Sequence, residues 1–153
     1  MFFIVEVNMY FIISAVIVFI DQLTKHYTVK YLYNNITFPI INNFLEFTFV
    51  KNKGAAFGIF QDQTILFVII TVAVSIALIF LLIKIQGQFI AKLSLSLILG
   101  GAIGNLLDRV RLGYVVDFIH ITHWPVFNVA DMCIVVGSIL LAVCVFFSEK
   151  SKE

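Results

Sequence analysis

The chain has 153 residues, 61% of them hydrophobic and 12% charged, with ten Lys and Arg against nine Asp and Glu. Its mean hydropathy of +1.07 leaves too little polar surface for a soluble domain of this length. The formal net charge of +1 gives no support to a nucleic-acid partner or a polybasic surface anchor. At roughly 20 residues per crossing, the chain is expected to form one integral-membrane domain over residues 1–153 with only a few spans.

The first span is predicted over residues 9–27. No Lys or Arg precedes it, Lys25 being the first basic residue, and no small-residue cleavage site follows. It is therefore expected to be a retained span and not a cleaved signal. Asp21 and Lys25 are spaced i,i+4 and can pair on a helix. The alternative is a lysine snorkelling at a span end. His26 reads as interfacial.

Residues 36–60 carry a different pattern. Phe44, Glu46, Thr48 and Val50 alternate with Leu45, Phe47, Phe49 and Lys51. Such alternation predicts a strand, with turn chemistry at Asn34-Asn35, Asn42-Asn43 and Gly54. A small β-element at the membrane surface is expected. The aromatics beside Gly54 and Gly58, Phe57 among them, are expected to govern substrate access and not bond cleavage.

The second span, 65–83, contains no charge. The third, 89–107, contains Gly100 and Gly104, a small-xxx-small spacing whose usual meaning is close helix packing. Asn105, Asp108 and Arg109 follow at i, i+3 and i+4 on one face, as a functional group or as an end-of-span ion pair. Residues 109–126 form a substantial loop, with Trp124 beside Pro125 as an interfacial anchor. The fourth span covers 127–147. Asn128 and Asp131 share a face at its start, where helix capping is the simpler reading. Cys133 and Cys144 lie ~16 Å apart along one helix, too far for a disulfide.

Four spans put both long loops on one side and both termini on the other. That side's Lys84, Lys92, Lys150 and Lys152 are outnumbered by Lys25, Lys30, Lys51, Lys53, Arg109 and Arg111 on the loop side. By count, the positive-inside rule leans against loops that face outward. The loop-side cations are expected to be functional and not topogenic.

Acids within or beside spans are costly and usually have a function. Asp21, Asp108, Asp117 and Asp131 fall at one end of the predicted bundle, with Asn52, Asn105, Arg109 and Asn128. Convergence of this kind is the pattern of a buried site. His120 and His123 with Asp117 and Asp131 offer a metal-ligand alternative, although His-Glu-x-x-His is absent. Neither Gly-x-Ser-x-Gly nor Gly-x-Gly-Asp occurs. A pair of carboxylates is the best bond-breaking machinery available. Two non-enzyme readings are a small proton- or cation-coupled transporter and an assembly subunit held by polar helix contacts.

Five blocks carry a resemblance. Asp21-Gln22-Leu23-Thr24-Lys25 resembles the Asp-Gln-x-Thr/Ser-Lys motif of lipoprotein signal peptidases, the signal peptidase II family. Asn52-Lys53-Gly54-Ala55-Ala56-Phe57 resembles that family's Asn-x-Gly-Ala-Ala-aromatic motif, and Gly104-Asn105-Leu106-Leu107-Asp108-Arg109 its Gly-Asn-x-x-Asp-Arg block. Val116-Asp117-Phe118 and Phe127-Asn128-Val129-Ala130-Asp131 resemble its two catalytic blocks. Order and spacing fit over roughly residues 10–147. One departure is the lack of basic residues before the first span.

The resemblance implies an all-α membrane protein of four transmembrane helices with a small extracytoplasmic β-cradle and a mobile loop helix. It implies a multi-pass enzyme of the bacterial inner membrane, its active site toward the extracytoplasmic side. The activity implied is an aspartyl endopeptidase that needs no cofactor or metal. It would remove signal peptides from diacylglyceryl-prolipoproteins, cutting before the lipidated cysteine, with membrane lipids as further partners. Asp117 and Asp131 match the catalytic pair. Asp21, Lys25, Asn52, Gly54, Asn105, Asp108, Arg109 and Asn128 match supporting or substrate-binding positions.

Overall fold

The computed structural model of the chain describes residues 2–33, 36–54 and 63–150. The turn expected at Asn34-Asn35 and the access role expected of Phe57 and Gly58 lie outside the described residues. Four helices dominate: α1 (Phe2–Leu32), α2 (Thr64–Lys84), α3 (Phe89–Leu112) and α4 (Val129–Lys150). Each contains a stretch long and apolar enough to cross a membrane.

The helices outrun the apolar runs that announced them. Asp108, expected just past the end of the third span, sits inside α3, and Asp21 lies inside α1. Both are buried against polar partners, not lipid, so neither interrupts its helix. Termination of α3 falls instead to Gly113, at φ 79°, whose N–H donates to the Arg109 carbonyl at 3.1 Å. A left-handed glycine of this kind is the common end of a helix.

Helix α3 is the centre of the bundle and packs against the other three. The two flanking helices α2 and α4 do not pack closely on each other. Glycines permit the tight approaches. A Cβ on Gly100 would lie 2.8 Å from Ile17 Cβ, and one on Gly104 would lie 2.6 Å from Asp21 Oδ2. On the adjacent face, a Cβ on Gly101 would collide with the Ala130 carbonyl. The expected small-residue face is thus present, and it reaches α4 as well as α1. Away from these contacts, Tyr10, Leu78, Leu82, Leu95 and Leu99 form an apolar core near the other end of the bundle.

The two long loops join in one antiparallel sheet of order β1-β2-β3: β1 (Phe38–Ile41), β2 (Leu45–Asn52) and β3 (Val115–Ile121). Strand β2 is the one the alternation predicts. Strand β3 corrects the expectation of a loop from 109 to 126. Its first four residues are all buried, so it lacks the in-out alternation by which half-buried strands are recognised. No helix besides the four occurs among the described residues, so the expected loop helix has no counterpart there.

After β3 the chain reverses, with His123 at φ 68°. Phe127 then pairs back on Ile119 through N–H to O contacts of 3.0 and 2.8 Å. Asn128, the next residue, is thereby placed beside β3 at the start of α4.

Candidate active site

Asp117 and Asp131 come from different elements and meet at one residue, Asn128. Asp117, on β3, is 1% exposed. Its Oδ1 accepts from Asn128 Nδ2 at 2.6 Å, and its Oδ2 from Asn52 Nδ2 at 2.8 Å. Asp131 stands in the first turn of α4. Its Oδ2 accepts from the Asn128 N–H at 3.2 Å, while its own N–H donates to Asn128 Oδ1 at 2.9 Å. The exchange is a reciprocal N-terminal cap, so the capping reading of Asn128 and Asp131 is realised. The same Asn128 also holds Asp117. Burial first, and then the negative charge of Asp131, push the Asp117 carboxyl up to about 7. Donors on Asn52 and Asn128, with the charge of Lys25, pull the other way.

A second polar cluster supports the first from behind. The Lys25 ammonium reaches Asp21 Oδ2 at 2.9 Å, Asp108 Oδ2 at 3.0 Å and Asn105 Oδ1 at 2.9 Å. Three acceptors thus meet three ammonium protons on a side chain only 3% exposed. Asp21 Oδ1 accepts from the Ala130 N–H at 3.0 Å, which satisfies an orphan donor in the first turn of α4. Asp108 Oδ2 also accepts from the Val116 N–H at 3.0 Å, which fixes the start of β3. Asn105 links the clusters. Its Oδ1 receives Asn128 Nδ2 at 3.1 Å, and its own Nδ2 donates to Asp131 Oδ1 at 2.8 Å.

Gln22 was absent from the sequence-derived candidates. Its Nε2 donates to Asp108 Oδ1 at 2.9 Å and to the Gly104 carbonyl at 3.1 Å. The available signal was a polar residue in an apolar run, three residues from Lys25. Arg109 does not pair with Asp108. It turns to the other side of α3, 5.0 Å from the Phe67 ring and 3.5 Å from the Gly54 carbonyl. His120 bonds Glu46 at 2.8 Å across the sheet. Among the described residues, no three His, Cys, Asp or Glu side chains gather as metal ligands.

A cavity of about 600 Å³ opens at the two carboxylates. Asn52, Gly54, Arg109, Asp117 and Asp131 form its polar end. Apolar residues of α2 and α4, including Phe67, Met132 and Val135, extend it along the cleft between those helices. Met132 and Val135 are exposed on the lipid-facing surface. A polar end and a long apolar side suit a substrate that is partly a membrane-spanning segment.

The profile of the Signal peptidase (SPase) II family matches residues 13–147. This chain belongs to the signal peptidase II family. The lipoprotein signal peptidase of Caldanaerobacter subterraneus subsp. tengcongensis is 51% identical over 137 residues, 89% of this chain and 94% of that one. That of Brevibacillus brevis is 44% identical over 147 residues, 94% and 99% of the two chains. A bacterial membrane enzyme solved by the in meso method at 2.3 Å superposes with a TM-score of 0.87 at 34% identity. The match covers 95% of this chain and 92% of that one. A second, solved at 1.9 Å, gives 0.83 at 35% identity over 90% and 92%. With its four apolar helices, the chain is a multi-pass membrane peptidase of the signal peptidase II family.

Proposed function

We propose that the protein is an intramembrane aspartyl endopeptidase that removes signal peptides from diacylglyceryl-modified prolipoproteins, cutting immediately before the lipidated cysteine. The observation that carries this reading is the meeting of Asp117 and Asp131 at one cavity, both bonded to Asn128. Asn128 holds the two acids through different groups, its side-chain amide on Asp117 and its backbone N–H on Asp131, and burial together with the negative charge of Asp131 disfavours the ionised form of Asp117. Asp117, pushed up to about 7, carries a proton, and Asp131 acts as the base. Asp131 takes a proton from water, and the water oxygen attacks the scissile carbonyl carbon while Asp117 protonates the carbonyl oxygen. Collapse of the tetrahedral intermediate breaks the C–N bond: the proton held by Asp131 passes to the leaving amine of the cysteine, and one hydroxyl of the intermediate returns its proton to Asp117 as the new carboxyl group forms. Asn52, Asn105 and Asn128 orient the two acids, and the Asp21–Lys25–Asp108 cluster fixes the helices that present them.

The signal peptide lies along the apolar side between α2 and α4, reached laterally from the bilayer. The sheet and the Asn52 loop face the extracytoplasmic side of the cytoplasmic membrane, with both termini inside. Support for that orientation comes from the contrary cations, which have other work. Lys25 is buried in its cluster, and Arg109 lines the cavity. Lys51 lies 5.1 Å from the Tyr33 ring and 5.2 Å from the Tyr114 ring.

The test is cleavage of a purified diacylglyceryl-prolipoprotein, read by mass spectrometry of the released peptide. Asp117→Asn and Asp131→Asn keep size and remove the ionisable group. Each should lose at least about 10³-fold in turnover, and the double variant should be barely worse. Substantial cleavage by either folded single variant would sink the pair. Activity lost to EDTA and restored by Zn²⁺ would move the chemistry to the His120–His123 alternative.

A further inference from the structure

We propose that a second groove, on the far side of α3 from the Asp117–Asp131 cavity, binds the phosphate of an anionic glycerophospholipid. The groove, about 190 Å³, lies between the outer ends of α1 and α3. Neighbouring residues divide between the two hollows. Asp108 and Val116 line the groove, while Arg109 and Asp117 line the cavity. Helix α3 and the start of β3 are thus a wall with a ligand surface on each side.

Charge defines what the groove accepts. It is lined by Lys25, His26 and Arg111, with Asp108 as its acid. The Asp108 carboxylate is already committed on both oxygens, to Gln22, Lys25 and the Val116 N–H. Lys25 is committed to three acceptors. Arg111 is exposed and makes no ion pair among the described residues. Its guanidinium is the cation left to meet a ligand, and guanidinium grips phosphate oxygens in pairs. Exposed His26 supplies a second donor from the facing helix. No uncommitted carboxylate lines the groove to receive an ammonium headgroup, so an anionic lipid fits and a zwitterionic one does not.

Depth points to a lipid and not to a soluble anion. Helices α1 and α3 run side by side, with Gln22 against Gly104 and Lys25 against Asp108. His26 and Arg111 therefore stand at one level, just beyond the buried charges. Exposed Tyr27 and Tyr31 stack at 6.1 Å on the same stretch of α1, and interfacial aromatics mark headgroup depth. Val29 and Leu112 give the groove an apolar wall. The space holds a phosphate and its glycerol, and the acyl chains would leave along the lipid-facing helices.

The experiment uses the full-length protein in neutral detergent micelles. Phosphatidylglycerol, phosphatidylcholine and inorganic phosphate are each titrated, with thermal unfolding and retained lipid by native mass spectrometry as readouts. Phosphatidylglycerol should raise Tm and be retained by the wild type, and the other two should not. Arg111→Gln should weaken that binding at least about tenfold, His26→Gln less, and Arg111→Lys should retain part of it. Equal stabilisation by phosphatidylcholine, or by phosphate alone, overturns the proposal. So does an Arg111→Gln variant that is less stable throughout yet keeps the full lipid increment, because Arg111 then serves only the carbonyl end of α3. Should Arg111→Gln fail to fold, unchanged lipid binding by both His26→Gln and Arg111→Lys overturns it equally.

Discussion

Helices α2 and α3 are neighbours built on opposite plans. Helix α2 has the highest mean hydropathy of the four, 3.2, yet only 17% of its most apolar stretch is buried. Helix α3 has the lowest, 1.6, and 61% of the corresponding stretch is buried. In water the order would be reversed. In a bilayer the lipid is as apolar as a leucine side chain, so hydropathy reports contact with solvent and not with the core. The inner helix can therefore carry three glycines, Asn105 and Asp108, because its neighbours supply the partners that lipid cannot. Helix α2 has no charge before Lys84, and its buried Ser75 hydroxyl finds no hydrogen-bond partner among the described residues. The working surface of this protein is the least membrane-like part of its membrane domain.

The sharpest way to break that contrast is to remove a polar partner at the α1–α3 contact. Lys25→Met leaves Asp21 and Asp108 buried without their cation. Stripping one member from a buried ion pair costs about 3–5 kcal/mol. Thermal unfolding in micelles should show a loss of that order, with little active protein recovered. Adding Asp21→Asn and Asp108→Asn to Lys25→Met should return much of the stability, because no buried charge is then stranded. A Lys25→Met protein with wild-type Tm and cleavage would mean that the cluster is not structural.

The next largest effect is on pH dependence. The Asp117 carboxyl is pushed up to about 7 in the folded protein, from an ordinary value of 3.8. A raised acid holds more protons folded than unfolded, so its stabilising contribution is greatest below the unfolded value. That contribution is lost as pH rises through about 7. In the proposed mechanism the Asp117 proton is lost in the same range, so kcat/KM should fall about tenfold per unit on the alkaline side. Asn52 donates to Asp117 Oδ2 and thereby favours the carboxylate. Asn52→Ala should move the alkaline limb upward. A profile flat to about pH 9, or a downward shift in Asn52→Ala, contradicts the assignment of the proton.

Apolar runs were enough to reveal the four helices, because lipid imposes a long and nearly charge-free pattern. The same pattern ended the first and third spans at residues 27 and 107, five residues short of Leu32 and Leu112, since it scores a charge as if it met hydrocarbon. Strand β2 was legible because Leu45, Phe47 and Phe49 alternate with Glu46 and Thr48 in sequence, although residues 45–49 are all half-buried in the fold. Strand β3 was not, because burial on both sides erases alternation and Asp117 interrupts its apolar run. Spacing placed Asp21 with Lys25 and Asn128 with Asp131, both local helix relations. It did not reveal that Asn128 also reaches Asp117, which depends on Phe127 pairing with Ile119 across a reversed chain. Gln22 was hidden for a related reason. Its partners are eighty-two and eighty-six residues away, and the local signal, a polar residue in an apolar run, does not say which distant helix the amide serves.

The smallest expected effect lies on the lipid side of the comparison. Ile76 of α2 is 64% exposed, while Leu99 of α3 is 1% exposed. Leu99→Ala opens a cavity in the packed centre and should cost about 2–5 kcal/mol. Ile76→Ala should cost no more than about 0.5 kcal/mol and leave cleavage unchanged, because lipid chains fill the space of the missing carbons. The helix remains apolar enough to span without it. Both variants can be measured side by side by thermal unfolding in micelles and again in bilayer nanodiscs. If Ile76→Ala proved as damaging as Leu99→Ala in both, the bare face of α2 would be a packed surface. The helix would then be covered by protein in its working state, and the contrast between α2 and α3 would be one of missing partners instead of solvent.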